Sequence, residues 1–190
     1  MITLTCLLLA GGLSRRMGTD KATLVYKGAP LWSRQVRTLS EVGSETIWVS
    51  ARAVPAWGDA FTKVIMDEPP SRGPLSGICT ALCQLETSHL LVLGIDLPNM
   101  TSEHLREFVN RIEPGRGVIP VNGERFETVC AIYPREAVGV AKECLEEGRL
   151  SLQDFAKELV ERKLVTRFGV RPTEEHLYLN VNAPMDLRAQ

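Results

Sequence analysis

The stretch Leu4-Thr5-Cys6-Leu7-Leu8-Leu9-Ala10-Gly11-Gly12-Leu13-Ser14-Arg15-Arg16-Met17-Gly18-Thr19-Asp20-Lys21 decides how the rest of the chain is read. Leu4–Leu9 is a short, nearly continuous apolar run, the pattern of a strand buried on both faces. It stops at adjacent glycines, whose missing Cβ atoms let backbone N–H groups approach a phosphate or a base closely. Two arginines and a lysine follow in the same loop. Ligands of open α/β sheets bind outside the carboxyl ends of the strands, so this loop is where a ligand is expected. It is neither a P-loop, since no Gly-Lys-Ser/Thr follows, nor the G-x-G-x-x-G of dinucleotide folds.

Working outward, Pro30–Val42 reads as a helix, Thr46–Ser50 and Thr62–Met66 as strands, and Asp67–Pro74 as a dense turn. Leu75–Leu85 is a helix, and His89–Gly94, the most hydrophobic strand, belongs at the sheet centre. It runs into Ile95-Asp96-Leu97-Pro98, after which Thr101 and Ser102 offer caps for a helix over Glu103–Arg111. Gly117–Val121 and Glu127–Tyr133 read as two strands with the tight-turn pair Asn122-Gly123 between them. Pro134 opens a helix ending near Gly148. Ser151 caps another that runs to Glu161, Leu164–Phe168 is the last strand, and a short helix closes the chain. Strands alternating with helices predict βαβ units, hence an α/β fold with a mostly parallel central sheet and a small antiparallel insertion.

Composition agrees with a globular chain. Among 190 residues, 44% are hydrophobic and 24% charged, and the net charge is -1. That balance excludes a global basic footprint for nucleic acid or an anionic membrane. Residues 1–40 nevertheless carry six Lys or Arg against Asp20 alone, which suits a small polyanionic ligand such as a nucleotide. The five cysteines form no CxxC pair and no zinc spacing; Cys79 and Cys83, one helical turn apart, read as core residues before they read as metal ligands. An odd cysteine count, no basic leader and no run approaching a membrane span predict a cytoplasmic protein without membrane or nucleic-acid partners. His89, His104 and His176 fit no catalytic triad pattern.

The string Leu9–Lys21 closely resembles the LAGGxSxRMGxDK signature of molybdenum cofactor guanylyltransferases and their nucleotidyltransferase relatives. Three further segments agree in order. Asp67 with Arg72-Gly73-Pro74-Leu75-Ser76-Gly77-Ile78 is similar to the family's D…GPLAG, Asp96-Leu97-Pro98 to its DxP, and Asn180-Val181-Asn182-Ala183-Pro184 with Asp186-Leu187 to its NxNTPEDL.

The resemblance implies a Rossmann-like three-layer nucleotidyltransferase fold, with residues 1–190 as a single domain. It also implies transfer of GMP from GTP to a molybdopterin-type cofactor, with release of pyrophosphate and Mg²⁺ as cofactor. On the same basis Leu9, Ala10, Gly11 and Gly12 meet the nucleotide and Lys21 holds its phosphates. Asp67 holds the nucleoside, Asp96 is the Mg²⁺ ligand, and Asn180 and Asn182 lie on the pterin side. Arg16 is chosen on physical grounds for the departing pyrophosphate, because charge neutralisation dominates such chemistry. Proteins that deliver and receive the cofactor are implied as partners. The chain departs from the pattern at Arg52, where the family often has an Asn that contacts the nucleotide, and that contact stays open. The alternatives are a cytidylyltransferase for the same cofactor, for which LAAG is expected instead of Leu9-Ala10-Gly11-Gly12, another small-phosphate nucleotidyltransferase, and a non-catalytic nucleotide-binding accessory protein.

Overall fold

The structure, a computed structural model, describes residues 1–11, 21–44, 46–66 and 72–181. Its elements run β1 (Leu4–Leu9), a 3-10 turn (Lys21–Thr23), β2 (Val25–Tyr26), β3 (Ala29–Pro30), α1 (Leu31–Ser40), β4 (Ile47–Ala51), a 3-10 turn (Gly58–Ala60) and β5 (Lys63–Met66). Next come α2 (Pro74–Cys83), β6 (His89–Gly94), α3 (Ser102–Val109), β7 (Gly117–Asn122), β8 (Arg125–Phe126) and β9 (Cys130–Pro134). The chain continues through α4 (Ala137–Glu146), α5 (Leu152–Glu161), β10 (Val165–Gly169) and a 3-10 helix (Pro172–Tyr178).

The main sheet is ordered β10-β7-β9-β6-β1-β4-β5, with β8 on β7, and β2 and β3 form a separate ribbon. β6 is central, as its hydrophobicity predicts. β1 pairs in parallel with β4 and β6, β4 with β5, and β7 with β10; β9 runs antiparallel to β6 and β7. The apolar run in β1 is explained by its two buried faces. Leu7 and Leu9 join one core with α2, α4 and α5 through Leu75, Ile78, Val140 and Phe155. Cys6 and Leu8 join the opposite core with α1, α3 and the last 3-10 helix through Leu31, Leu39, Phe108 and Tyr178. Three layers result, and each fully buried leucine contributes roughly 1.5–3 kcal/mol.

Two expectations are corrected. The Asn122-Gly123 turn joins β7 to the two-residue β8, so the strand expected over Glu127–Tyr133 is broken at Glu127–Val129. The break is held by Cys130 N–H donating to Glu127 O (3.1 Å) and the Tyr133 hydroxyl to Thr128 O (2.6 Å). β9 then enters between β6 and β7, where Gly117 admits it: a Cβ there would lie 1.9 Å from the Ile132 carbonyl oxygen. Pro134 does not open a helix; it ends β9, paired with His89 across the antiparallel seam. The expected terminal helix lies outside the described residues. Cys79 is buried and its thiol is pushed up to about 12, by burial and then by Cys83, so it stays a protonated core residue, whereas Cys83, expected in the core, is exposed. Among the described residues, no helix is long and apolar enough to cross a membrane.

Candidate active site

The sheet register sets Leu9, Ser50 and Gly94 side by side at the carboxyl ends of β1, β4 and β6. The chain leaves these strands as Ala10-Gly11, Ala51-Arg52 and Ile95-Asp96, so one edge collects Ala10, Gly11, Arg52 and Asp96 from among the sequence-predicted residues. The edge is stitched by Ala10 N–H to Ser50 O (2.9 Å) and Ile95 N–H to Leu9 O (3.1 Å). Leu9 is buried; Ala10 and Gly11 are half-buried, which leaves their backbone groups within reach of a ligand.

Lys21 returns to this edge from the first 3-10 turn, and its Nζ lies 4.0 Å from Asp96 Oδ2. The two side chains are 17% and 29% exposed, shielded enough that their charges are only partly screened. Arg52 is exposed, and its Nε donates to Gly11 O at 3.0 Å, so at this departure from the family pattern the guanidinium holds the Gly11 carbonyl. Asn180 is exposed on a short span whose next residue, Val181, is buried and donates its N–H to Asp96 O (2.9 Å). Leu9, Ala10, Gly11, Lys21, Arg52, Asp96 and Asn180 are thus brought to one edge. Gly12, Arg16, Asp67 and Asn182 lie outside the described residues.

In the Arg72-Gly73-Pro74 element, Gly73 has φ +87°, a conformation that favours glycine, and Pro74 opens α2. The Arg72 guanidinium donates to Leu145 O (2.7 Å) near the end of α4.

Two residues at this edge escape sequence reasoning. Gln35, a buried amide on α1, donates from Nε2 to Leu97 O (2.7 Å) and Gly94 O (3.3 Å), clamping the turn that presents Asp96. Its only sequence signal is a polar residue midway between Leu31 and Leu39 on the apolar stripe. Glu127 is half-buried where the expected strand breaks. Burial and, more weakly, Asp96 push its carboxyl above the usual range while Arg125 opposes them. No local pattern announces it, because the turn at Glu127–Val129 exists only in the assembled sheet.

A second cluster, His104, Glu107 and Glu174, has ligating atoms within 4.8 Å of one another. Its cation position is already taken by Arg171, which donates to Glu107 (3.0 Å) and, in a closer pair, to Glu174. It reads as a structural ion network.

Residues 6–163 match the sequence model of the MobA-like NTP transferase domain. This chain belongs to that family. A relative from Opitutus terrae named "Probable molybdenum cofactor guanylyltransferase" is 33% identical over 181 residues, covering 94% of this chain and 90% of the relative. The MobA-like fold extends to solved structures. Molybdopterin-guanine dinucleotide biosynthesis protein A from Archaeoglobus fulgidus superimposes with a TM-score of 0.75 at 21% identity, covering 97% of this chain and 95% of that one. A nucleotidyl transferase from Methanothermobacter gives 0.77 at 13% identity, over 97% and 94%. At those identities the likeness concerns the fold, and it is the nucleotidyltransferase α/β fold expected from the sequence.

Proposed function

We propose that this MobA-like protein is a molybdenum cofactor guanylyltransferase: it transfers GMP from GTP to the phosphate of a molybdopterin-type cofactor and releases pyrophosphate. The observation that carries the reading is the Lys21–Asp96 pair at the Leu9-Ala10-Gly11 edge, 4.0 Å across. Full-length likeness to relatives bearing that name supports the choice of substrates.

The chemistry asks for positioning and charge neutralisation, because negative charge grows on the α-phosphate oxygens and on the departing pyrophosphate. The half-buried backbone of Ala10 and Gly11 accepts close approach of the nucleotide, with Arg52 bracing the Gly11 carbonyl. Lys21 supplies a fixed positive charge to the phosphates. Arg16 and Asp67 are assigned to the pyrophosphate and the nucleoside, and Asn180 and Asn182 to the pterin side. Gly12 is assigned to the base.

Mg²⁺ fits the donor chemistry of this edge: Asp96 offers a partly exposed carboxylate, a hard oxygen ligand, and Glu127 adds negative potential beside it. When bound, Mg²⁺ neutralises and orients phosphate oxygens. Asp96 would hold it, while the Lys21 ammonium would exchange its carboxylate partner for phosphate.

Thermal melts with a nucleotide panel and Mg²⁺ test the reading. GTP should raise Tm more than CTP or ATP at equal concentration, since only a ligand that binds the folded state stabilises it. Equal stabilisation by CTP and GTP would replace guanylyl with cytidylyl transfer. Pyrophosphate release from GTP that does not depend on added molybdopterin would remove the acceptor assignment.

A further inference from the structure

The proposed donor and acceptor ends of the site are carried by different parts of the chain. Lys21 sits at the start of the segment that continues into the β2–β3 ribbon, and Asn180 sits 159 positions later, after the last 3-10 helix. The two segments do not pair with each other in a sheet. They meet at Asn99, in the turn that follows Asp96-Leu97-Pro98.

The Tyr26 hydroxyl, at the end of β2, donates to Asn99 Oδ1 (2.8 Å). The same amide donates from Nδ2 to the carbonyl of His176 in the last 3-10 helix (3.3 Å). Beyond it, the Tyr178 hydroxyl meets His104 Nε2 at 2.7 Å, and the Val181 amide meets Asp96 O at 2.9 Å. Leu179 and Asn180 are therefore a two-residue exposed span with fastenings on either side. At the other end, Tyr26 is 2% exposed and its ring carries Lys27 and Arg34 at 4.9 and 5.3 Å, so the hydroxyl is rigidly aimed. The ribbon is tied back to Lys21 through Leu24 N–H to Lys21 O (3.2 Å) and Leu31 N–H to Leu24 O (2.9 Å).

We infer that Asn99 is a positioning residue: its amide links the ribbon after Lys21 to the segment carrying Asn180, and so sets the acceptor end of the site against the donor end. The inference rests on the proposed function for its reading of Lys21 and Asn180. An amide is suited to the task because one planar group both accepts and donates; a carboxylate only accepts, and a leucine does neither.

Asn99→Leu removes the bonds to Tyr26 and His176 while keeping the number and branching of side-chain heavy atoms, and Tyr26→Phe removes the Tyr26–Asn99 bond while keeping the ring packing. Two quantities are measured in the full-length protein: hydrogen exchange of the Val181 amide without nucleotide, and the KM for molybdopterin beside the Kd for GTP. Each variant should speed Val181 exchange and raise the acceptor KM, both by about five- to tenfold, the worth of one hydrogen bond. The Kd for GTP should stay within about twofold. The double variant should add little to Asn99→Leu, because both substitutions break the same link.

Unchanged exchange overturns the inference. So does a GTP Kd that weakens in step with the acceptor KM, or a double variant whose effects simply add. A fall in Tm with neither exchange at Val181 nor KM altered would make Asn99 purely structural. If the wild-type protein transfers no GMP, the proposed function fails by itself, and Val181 exchange still decides whether Asn99 holds the segment.

Discussion

The two ends of β6 carry titratable side chains in opposite conditions. At its amino end His89 is fully buried, with Nδ1 2.9 Å from Ser88 Oγ and Nε2 3.1 and 3.2 Å from the carbonyls of Glu113 and Arg116. Both ring nitrogens are occupied, so the ring is a fastener between β6 and the loop before β7. Past its carboxyl end Asp96 is partly exposed and faces Lys21 at a loose 4.0 Å. A saturated polar group stabilises; an unsaturated one that the fold holds in place is available for a ligand. The contrast supports placing the proposed chemistry past the carboxyl end of β6.

Asp96→Asn tests the contrast most severely. It keeps the shape and removes the charge, so pyrophosphate release should fall on the order of 10²–10³-fold with Tm little changed. Mg²⁺ titrations of the two proteins that superimpose would take Asp96 out of the site. Gly94→Ala probes the same end indirectly. A Cβ there would lie 2.6 Å from Asp96 Oδ1 and 3.2 Å from Val129 Cγ2, forcing the carboxylate aside. Turnover should drop by roughly 10- to 100-fold, the cost of a misplaced group; full activity would mean that the carboxylate orientation is unimportant.

At the opposite end, His89→Leu should cost about 1–3 kcal/mol of stability, because two carbonyls lose their partner, and should leave the turnover of the folded protein unchanged. A loss of turnover as large as that of Asp96→Asn would erase the distinction between the ends. The smallest effect concerns pH. Burial holds His104 below its ordinary 6.5, against the opposing pull of Glu174 and Glu107. The unfolded chain therefore takes up a proton that the folded one resists. This contribution is fully present above about pH 6.5 and is lost as pH falls below it, at no more than about 1.4 kcal/mol per pH unit. Melts of wild type and His104→Gln between about pH 7.5 and 5 check the sign: the variant should show the shallower decline, and parallel curves would assign the loss to other groups.

By itself, the sequence determined whatever depends on neighbours along the chain. The apolar runs Leu4–Leu9 and His89–Gly94 announced buried strands, a local pattern whose meaning follows from the two-residue period of a strand. The ligand loop expected after Leu9 rests on the steric freedom of glycine, and the role proposed for Asp96-Leu97-Pro98 rests on its resemblance to a family motif. Tertiary structure alone decided that β9 breaks at Glu127–Val129 to slip beside Gly117, that Gln35 clamps the carbonyls around Asp96, and that Glu127 and Asn99 stand near the site. A polar side chain has the same hydrogen-bonding capacity wherever it lies in the sequence. Its partner is set by the order in which distant strands and helices pack, and that order is not written in its neighbours.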